Sequence, residues 1–379
     1  MSTAYSPEKR TALVFCGSGA HGAYHAGALR AVQEAGVKVD VVAGHGIGAA
    51  TAVLAAIDGG ARLWEEGGLW RQPQVSGFYR WRWPLGGGSR RTKGSGWWRL
   101  LGSPLDPAGA RKAVAAAVWQ LIRGAGAPEP PAANLFGRRY TEVVAENLGQ
   151  PGFRELMVLA TDLDTRRDVI GALLRDTYRN EFMAPRPGRD RRGEVLDLAG
   201  AGRDHAIDLV FGAIAPPVGS DPSLITFAPD SFWRGETHRL CDRPGSVARL
   251  LEELSAAGVS QVIVISAVTP ASEPHRLASA PLDVRRRVGD AIAAAEAAGL
   301  RDAIENARLR FEAIYPVCPG HNPIGPFDLD GAYDEASDRR HTLLELMERG
   351  YEDAYHQFIE PVVGASGEEV TREHDYRLR

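Results

Sequence analysis

Residues 11–57 read TALVFCGSGAHGAYHAGALRAVQEAGVKVDVVAGHGIGAATAVLAAI. The first six residues are a dense apolar and β-branched run, which predicts a short buried strand. Gly17, Gly19 and Gly22 follow at once. Residues 23–36 then place apolar side chains at helical spacing and end on a glycine stop. Residues 37–43 read as a second strand. It runs into Gly44-His45-Gly46-Ile47-Gly48 and a small-residue helix over 49–57. Strand, helix, strand, sharp turn, helix is the grammar of a parallel sheet covered on both faces.

The rest of the chain extends that pattern. Residues 156–161 and 259–268 predict strands, the latter (VSQVIVISAV) the strongest in the chain. Helices are predicted over 207–218, 246–257, 281–309 and 342–363. The expected fold class is α/β, three-layered, with a mainly parallel sheet. Four segments are expected: 1–63 as the N-terminal half of the main domain, 64–106 as an insertion, 107–270 as the remainder, and 271–379 as a helical C-terminal region packed on it.

Composition narrows the function classes. The 379 residues are 44% hydrophobic and 24% charged, with a net charge of −4, which excludes wholesale disorder and offers no field for nucleic acid. Cys16, Cys241 and Cys318 are too few and too scattered for a disulfide framework or a zinc site. A reducing, cytoplasmic setting is expected, with no secretory leader in MSTAYSPEKR and no uncharged apolar run of the ~18 residues a spanning helix needs.

The insertion is unlike its surroundings. Six of the eight tryptophans fall between Trp64 and Trp98, interleaved with Arg71, Arg80 and Arg82. Trp81, Trp83, Trp97 and Trp98 suit a membrane surface, where a ring sits half in apolar and half in wet surroundings. An exposed loop folded back on the domain is the plainer alternative. Residues 86–96 (GGGSRRTKGSG) read as a flexible linker, either natural or an engineered bridge replacing an excised hairpin. Peripheral or integral membrane attachment of the native protein stays open on this reading.

Two motifs carry chemistry. Gly17-Ser18-Gly19-Ala20-His21-Gly22 lies between a strand and a helix. It could cradle a phosphate, form an oxyanion hole, or simply turn. The glycine spacing and the position of Asp40 do not fit a dinucleotide fingerprint. Gly44-x-Gly46-x-Gly48 is the frame of a nucleophile elbow, G-x-S-x-G, with glycine where serine would stand. Glycine accepts the positive φ of such a turn but has no hydroxyl to attack with.

With these motifs in place, the chain resembles the patatin-like phospholipase family. The glycine-rich loop and elbow match in order, as do residues 160–165 (ATDLDT), 211–218 (FGAIAPPV), and Leu240-Cys241-Asp242-Arg243-Pro244 before the strong strand. The resemblance implies a lipid acyl-ester hydrolase scaffold of the Ser–Asp dyad type, acting on a lipid or acyl-ester ligand without a cofactor. It places the oxyanion hole at Gly17, Ser18 and Gly19, the vacant nucleophile position at Gly46, and the dyad aspartate at Asp242. Asp330, in a literal Asp-Gly-Ala, is the alternate aspartate. Arg243 and Pro244 stand where the family has glycines, and His21 where it has a basic residue. Impaired hydrolysis follows, with a lipid-binding pseudoenzyme or membrane-associated scaffold as the alternative. His45 adjoins the vacancy as a possible accessory group, with its side chain expected to point away from the site. His21 and His25 have ligand spacing on a helix but no evident partner, so no metal is expected.

Overall fold

The computed structural model describes residues 5–72, 79, 142–144, 146–150, 153–185, 194–218, 221–269, 284–334 and 337–364. Trp81, Trp83, Trp97, Trp98 and the glycine-serine tract at 86–96 lie outside the described residues.

The first half of the sheet is built from β1 (Thr11–Cys16), helix α1 (His21–Glu34), β2 (Val41–His45) and helix α2 (Ile47–Asp58). β3 (Glu155–Asp162), β4 (Arg167–Leu173), helix α3 (Asp176–Met183) and β5 (Val195–Asp197) follow. Next come helix α4 (Ala206–Ile214), the hairpin β6 (Ser223–Thr226) and β7 (Thr237–Cys241), helix α5 (Val247–Ala256) and β8 (Gln261–Ser266). The long helix α6 (Val284–Ala307), β9 (Ala313–Val317) and helix α7 (Leu343–Ala354) complete the main body. A two-stranded ribbon, Ala332–Asp334 with Arg339–His341, precedes α7.

The strand order is β5-β4-β3-β2-β1-β8-β9, with β7 pairing beside the end of β3 and β6 beside β7. From β3 through β9 all neighbours on this path run parallel. β4 is antiparallel to β3, and β5 is parallel to β4.

Strand alternation divides the core. Leu13, Phe15 and Val42 face one layer, packed by α1, α2 and α4. Ala12, Val14, Cys16, Val41 and Ala43 face the other, packed by α5 and α6. Both faces are dry, so the central strands read as continuous apolar runs rather than alternating ones. The three-layer α/β expectation holds.

Several bounds differ from the sequence reading. β2 starts at Val41, because Asp40 turns its carboxylate back to accept the Thr11 N–H at 2.9 Å. It also runs through Gly44 and His45, so the sharp turn begins only at Gly46. The C-terminal helix is α-helical to Ala354 and continues as π-turns over Tyr355–Gly364, with Pro361 inside. Thr342 and Glu345 form a reciprocal capping box at its start.

α7 lies across α1 at unusually close range. A β-carbon on Gly27 would overlap the Met347 carbonyl, and one on Gly350 would overlap the Tyr24 carbonyl. The Tyr24 hydroxyl donates to Asp353 Oδ2 at 3.0 Å across the same crossing. Among the described residues, no helix is long and apolar enough to cross a membrane.

Candidate functional site

The loop after β1 and the turn after β2 meet at the carboxyl ends of the parallel strands, where α/β sheets place their sites. Gly17 (φ 130°) and Gly19 (φ 57°) take conformations that side chains resist. Gly46 caps α2 with φ 58° and ψ −141°, the sharp strand-to-helix geometry of an elbow. Sequence alone predicted these two turns, and the fold brings them into direct contact.

That contact has a specific form. Ile47 N–H donates to the Gly17 carbonyl at 2.8 Å. A β-carbon on residue 46 would overlap that same oxygen and come within 3.0 Å of Asp242 Oδ2. The slot from which a nucleophile would project therefore holds a backbone acceptor. An oxyanion needs donors, and here the loop turns an acceptor toward the elbow.

Asp242 follows β7 and is buried. Its own N–H donates to Ala215 at the end of α4, at 2.7 Å, which fixes its backbone. Ser18 Oγ donates to Asp242 Oδ2 at 2.7 Å, out of solvent. Arg243 turns away and pairs with Asp168 on β4, its Nε 3.0 Å from Oδ1. Asp330 is not part of this cluster. It precedes the two-stranded ribbon, and its carbonyl accepts from Arg340.

His45 does not point away from the site. It continues the alternation of Val41 and Ala43, so its ring faces the α6 side of the sheet, as Cys16 does. Its Nδ1 lies 3.5 Å from Asp242 Oδ1 and its Nε2 lies 3.6 Å from Glu296 Oε2. Burial works against protonation of this imidazole. The Glu296 charge, then Asp242 and Cys16, outweigh it and hold the His45 pKa well above its ordinary value. Burial also pushes Glu296 up to about 7, with His45 opposing the rise. The Cys16 thiol is raised by burial too, against the pull of His45.

Glu296 was not legible in the sequence. It is one acidic residue in an Ala-rich helix with many. What delivers it is a pair of glycines. A β-carbon on Gly299 would collide with Gly245, and one on Gly245 (φ 78°) would press on the Ala295 carbonyl at 2.9 Å. Without those side chains, α6 settles against the loop following Asp242. A glycine three positions after the glutamate, inside a helix, was the one local signal.

Two further groups line the loop. Ala20 N–H donates to the Pro326 carbonyl at 2.7 Å, and the bare Gly19 admits that carbonyl. Tyr79 is buried, edge-on to Phe327 with centroids 5.4 Å apart, and hydrogen-bonds the backbone of Gly19. His21 packs beside Gly17, and burial lowers its pKa to about 4 against a hydrogen bond to the Ile324 backbone. His25 meets the Cys16 carbonyl at 2.9 Å. Both are core histidines of α1.

Comparison with curated proteins yields no match. Among solved structures, the chain is similar to VipD from Legionella pneumophila, with 12% identity, a TM-score of 0.35, and coverage of 93% of this chain and 67% of that one. The profile described as patatin-like phospholipase matches residues 13–271, a span that holds both glycine turns, Asp242 and the strands that carry them. The chain belongs to the patatin-like phospholipase family.

Proposed function

We propose that this protein keeps the acyl-lipid scaffold of its family and has lost the ordinary serine–aspartate hydrolysis, so that it holds a lipid or acyl ester without cleaving it. The observation that carries the reading is the Gly17 carbonyl in the elbow slot, held by Ile47 N–H at 2.8 Å. In a working dyad, the elbow hydroxyl attacks the ester carbonyl, passes its proton to the aspartate, and leaves an oxyanion to be met by amides. Here Gly46 has no hydroxyl, and the elbow amide of Ile47 is already engaged.

The test is a short-chain ester assay on the purified protein beside D242A, with a fluorescent fatty acid as binding probe. The expected result is probe binding without turnover. Turnover that vanishes in D242A would overturn the loss of hydrolysis. Absence of probe binding would overturn acyl holding.

A second reading rests on one distance. Ser18 Oγ and Asp242 Oδ2 are 2.7 Å apart, the spacing of a serine–aspartate pair. Covalent labelling of Ser18 by a fluorophosphonate, lost in S18A, would favour a hydrolase that uses this hydroxyl. A cytoplasmic protein that attaches peripherally to membranes through its tryptophan-rich insertion completes the proposal. Binding to anionic vesicles should then fall when Trp81, Trp83, Trp97 and Trp98 are changed together to alanine.

A further inference from the structure

His45, Asp242 and Glu296 come from the end of β2, the loop after β7 and the middle of α6. Their side chains are 0%, 1% and 3% exposed. One imidazole nitrogen and one oxygen from each carboxylate lie within 4.8 Å of one another. Both His45 nitrogens, Asp242 Oδ1 and Glu296 Oε1 have no hydrogen-bond partner among the described residues. The ring nitrogens face different carboxylates at 3.5 and 3.6 Å, too long for hydrogen bonds, and buried polar atoms left so are costly unless something satisfies them.

Charge sharpens the case. Among the described residues, no lysine or arginine pairs with Asp242 or Glu296, and His45 is their one cation-capable partner. A protonated His45 balances one of two buried carboxylates. A divalent cation with neutral imidazole balances both. The outer contacts already point the same way. Ser18 occupies Asp242 Oδ2 and leaves Oδ1 toward the cluster, while the Gly245 backbone hydrogen-bonds Glu296. Such outer contacts aim and fix metal ligands.

We infer that His45, Asp242 and Glu296 form a binding site for a divalent first-row transition cation, with zinc the best match to one imidazole nitrogen and two carboxylate oxygens. Tetrahedral zinc with bonds of about 2.0–2.2 Å spaces its ligands about 3.4 Å apart. The 3.5 and 3.6 Å contacts use opposite ring nitrogens, so zinc on one nitrogen keeps the nearer carboxylate and draws in the other, whose oxygen already lies within 4.8 Å. Cys16 borders the set on the same face of the sheet. The site explains why Asp242 stays buried and oriented although the elbow beside it carries no nucleophile. This inference stands apart from the acyl reading, since zinc uptake and fatty-acid probe binding are measured separately and either can fail alone.

The experiment uses the full chain, stripped with a chelator and titrated with Zn²⁺ by calorimetry, with bound metal counted by mass spectrometry. The expected result is one equivalent of zinc, lost in E296Q, and weakened about 10- to 100-fold in S18A through the outer contact to Asp242. The surface set of Asp334 with His321 and His341, at 3.4 and 3.6 Å, is the rival site, so H341A should leave uptake unchanged. No stoichiometric zinc, uptake indifferent to E296Q, or uptake abolished by H341A overturns the inference. If E296Q does not fold, Co²⁺ bound to the unmodified protein decides. Intense visible bands of four- or five-coordinate cobalt support the site, and a hexaaqua-like spectrum overturns it.

Discussion

The carbonyl oxygen of Gly17 occupies the volume that a β-carbon on residue 46 would fill. Any side chain at position 46 must displace backbone, on a φ of 58° that already disfavours it. G46A is expected to lose about 1–3 kcal/mol of stability, read as a lower urea midpoint with unchanged slope. G46S should lose a similar amount and gain no esterase activity. Activity in G46S at undiminished stability would mean that the loop moves aside freely.

Ser18 is the only hydroxyl given to Asp242 Oδ2 among the described residues, at 2.7 Å. Its removal leaves a buried carboxylate oxygen without a donor. S18A should therefore cost about 1.5–3 kcal/mol, the usual range for a hydrogen bond to a charged group. Chemical denaturation measures it, and S18C or S18T should fall between the two.

Acid should destabilise the protein through α1. His21 sits near 4 and His25 near 3, each lowered first by burial. The unfolded chain takes up these protons near 6.5 and the folded chain does not, so the stability present above 6.5 is lost as pH falls toward 4. Their surroundings are the Ile324 backbone for His21, and the Cys16 carbonyl, His21 and His45 for His25. For His21 alone the loss approaches about 3 kcal/mol. Thermal melts of the parent and H21Q between pH 7 and 4 should converge toward the acid end.

The crossing of α1 and α7 should tolerate no added volume. Gly350 faces the Tyr24 carbonyl, so G350A must push the helices apart or bend one of them. A loss of about 1–3 kcal/mol is expected, seen as a drop in melting temperature. A neutral G350A would show that the helices slide.

The parts of this fold that were legible in sequence share one property: their signal is local. The apolar run of β1, the glycines after it and the Gly44-x-Gly46-x-Gly48 frame need no distant partner to be read. β4 and the β6–β7 hairpin are not legible, because Arg167, Asp168, Thr237 and Arg239 look like loop until pairing, of β4 with β3 and of β7 with β6, gives them a face. A strand read as ending at Ala43 aims His45 the wrong way, because β2 runs two residues further and its alternation carries the ring toward Asp242. Glu296 could not have been chosen by pattern, because its position depends on Gly245 and Gly299 meeting across 54 residues of chain.

The Gly27–Gly350 crossing also bears on biosynthesis. α1 is complete once residue 34 has been made, yet the helix that shields its Tyr24 face arrives more than 300 residues later. A nascent chain leaving the ribosome must carry that bare apolar flank until α7 has been made. Termination shortly after residue 271 would leave it permanently uncovered, a form that chaperones or proteases would meet as unfinished.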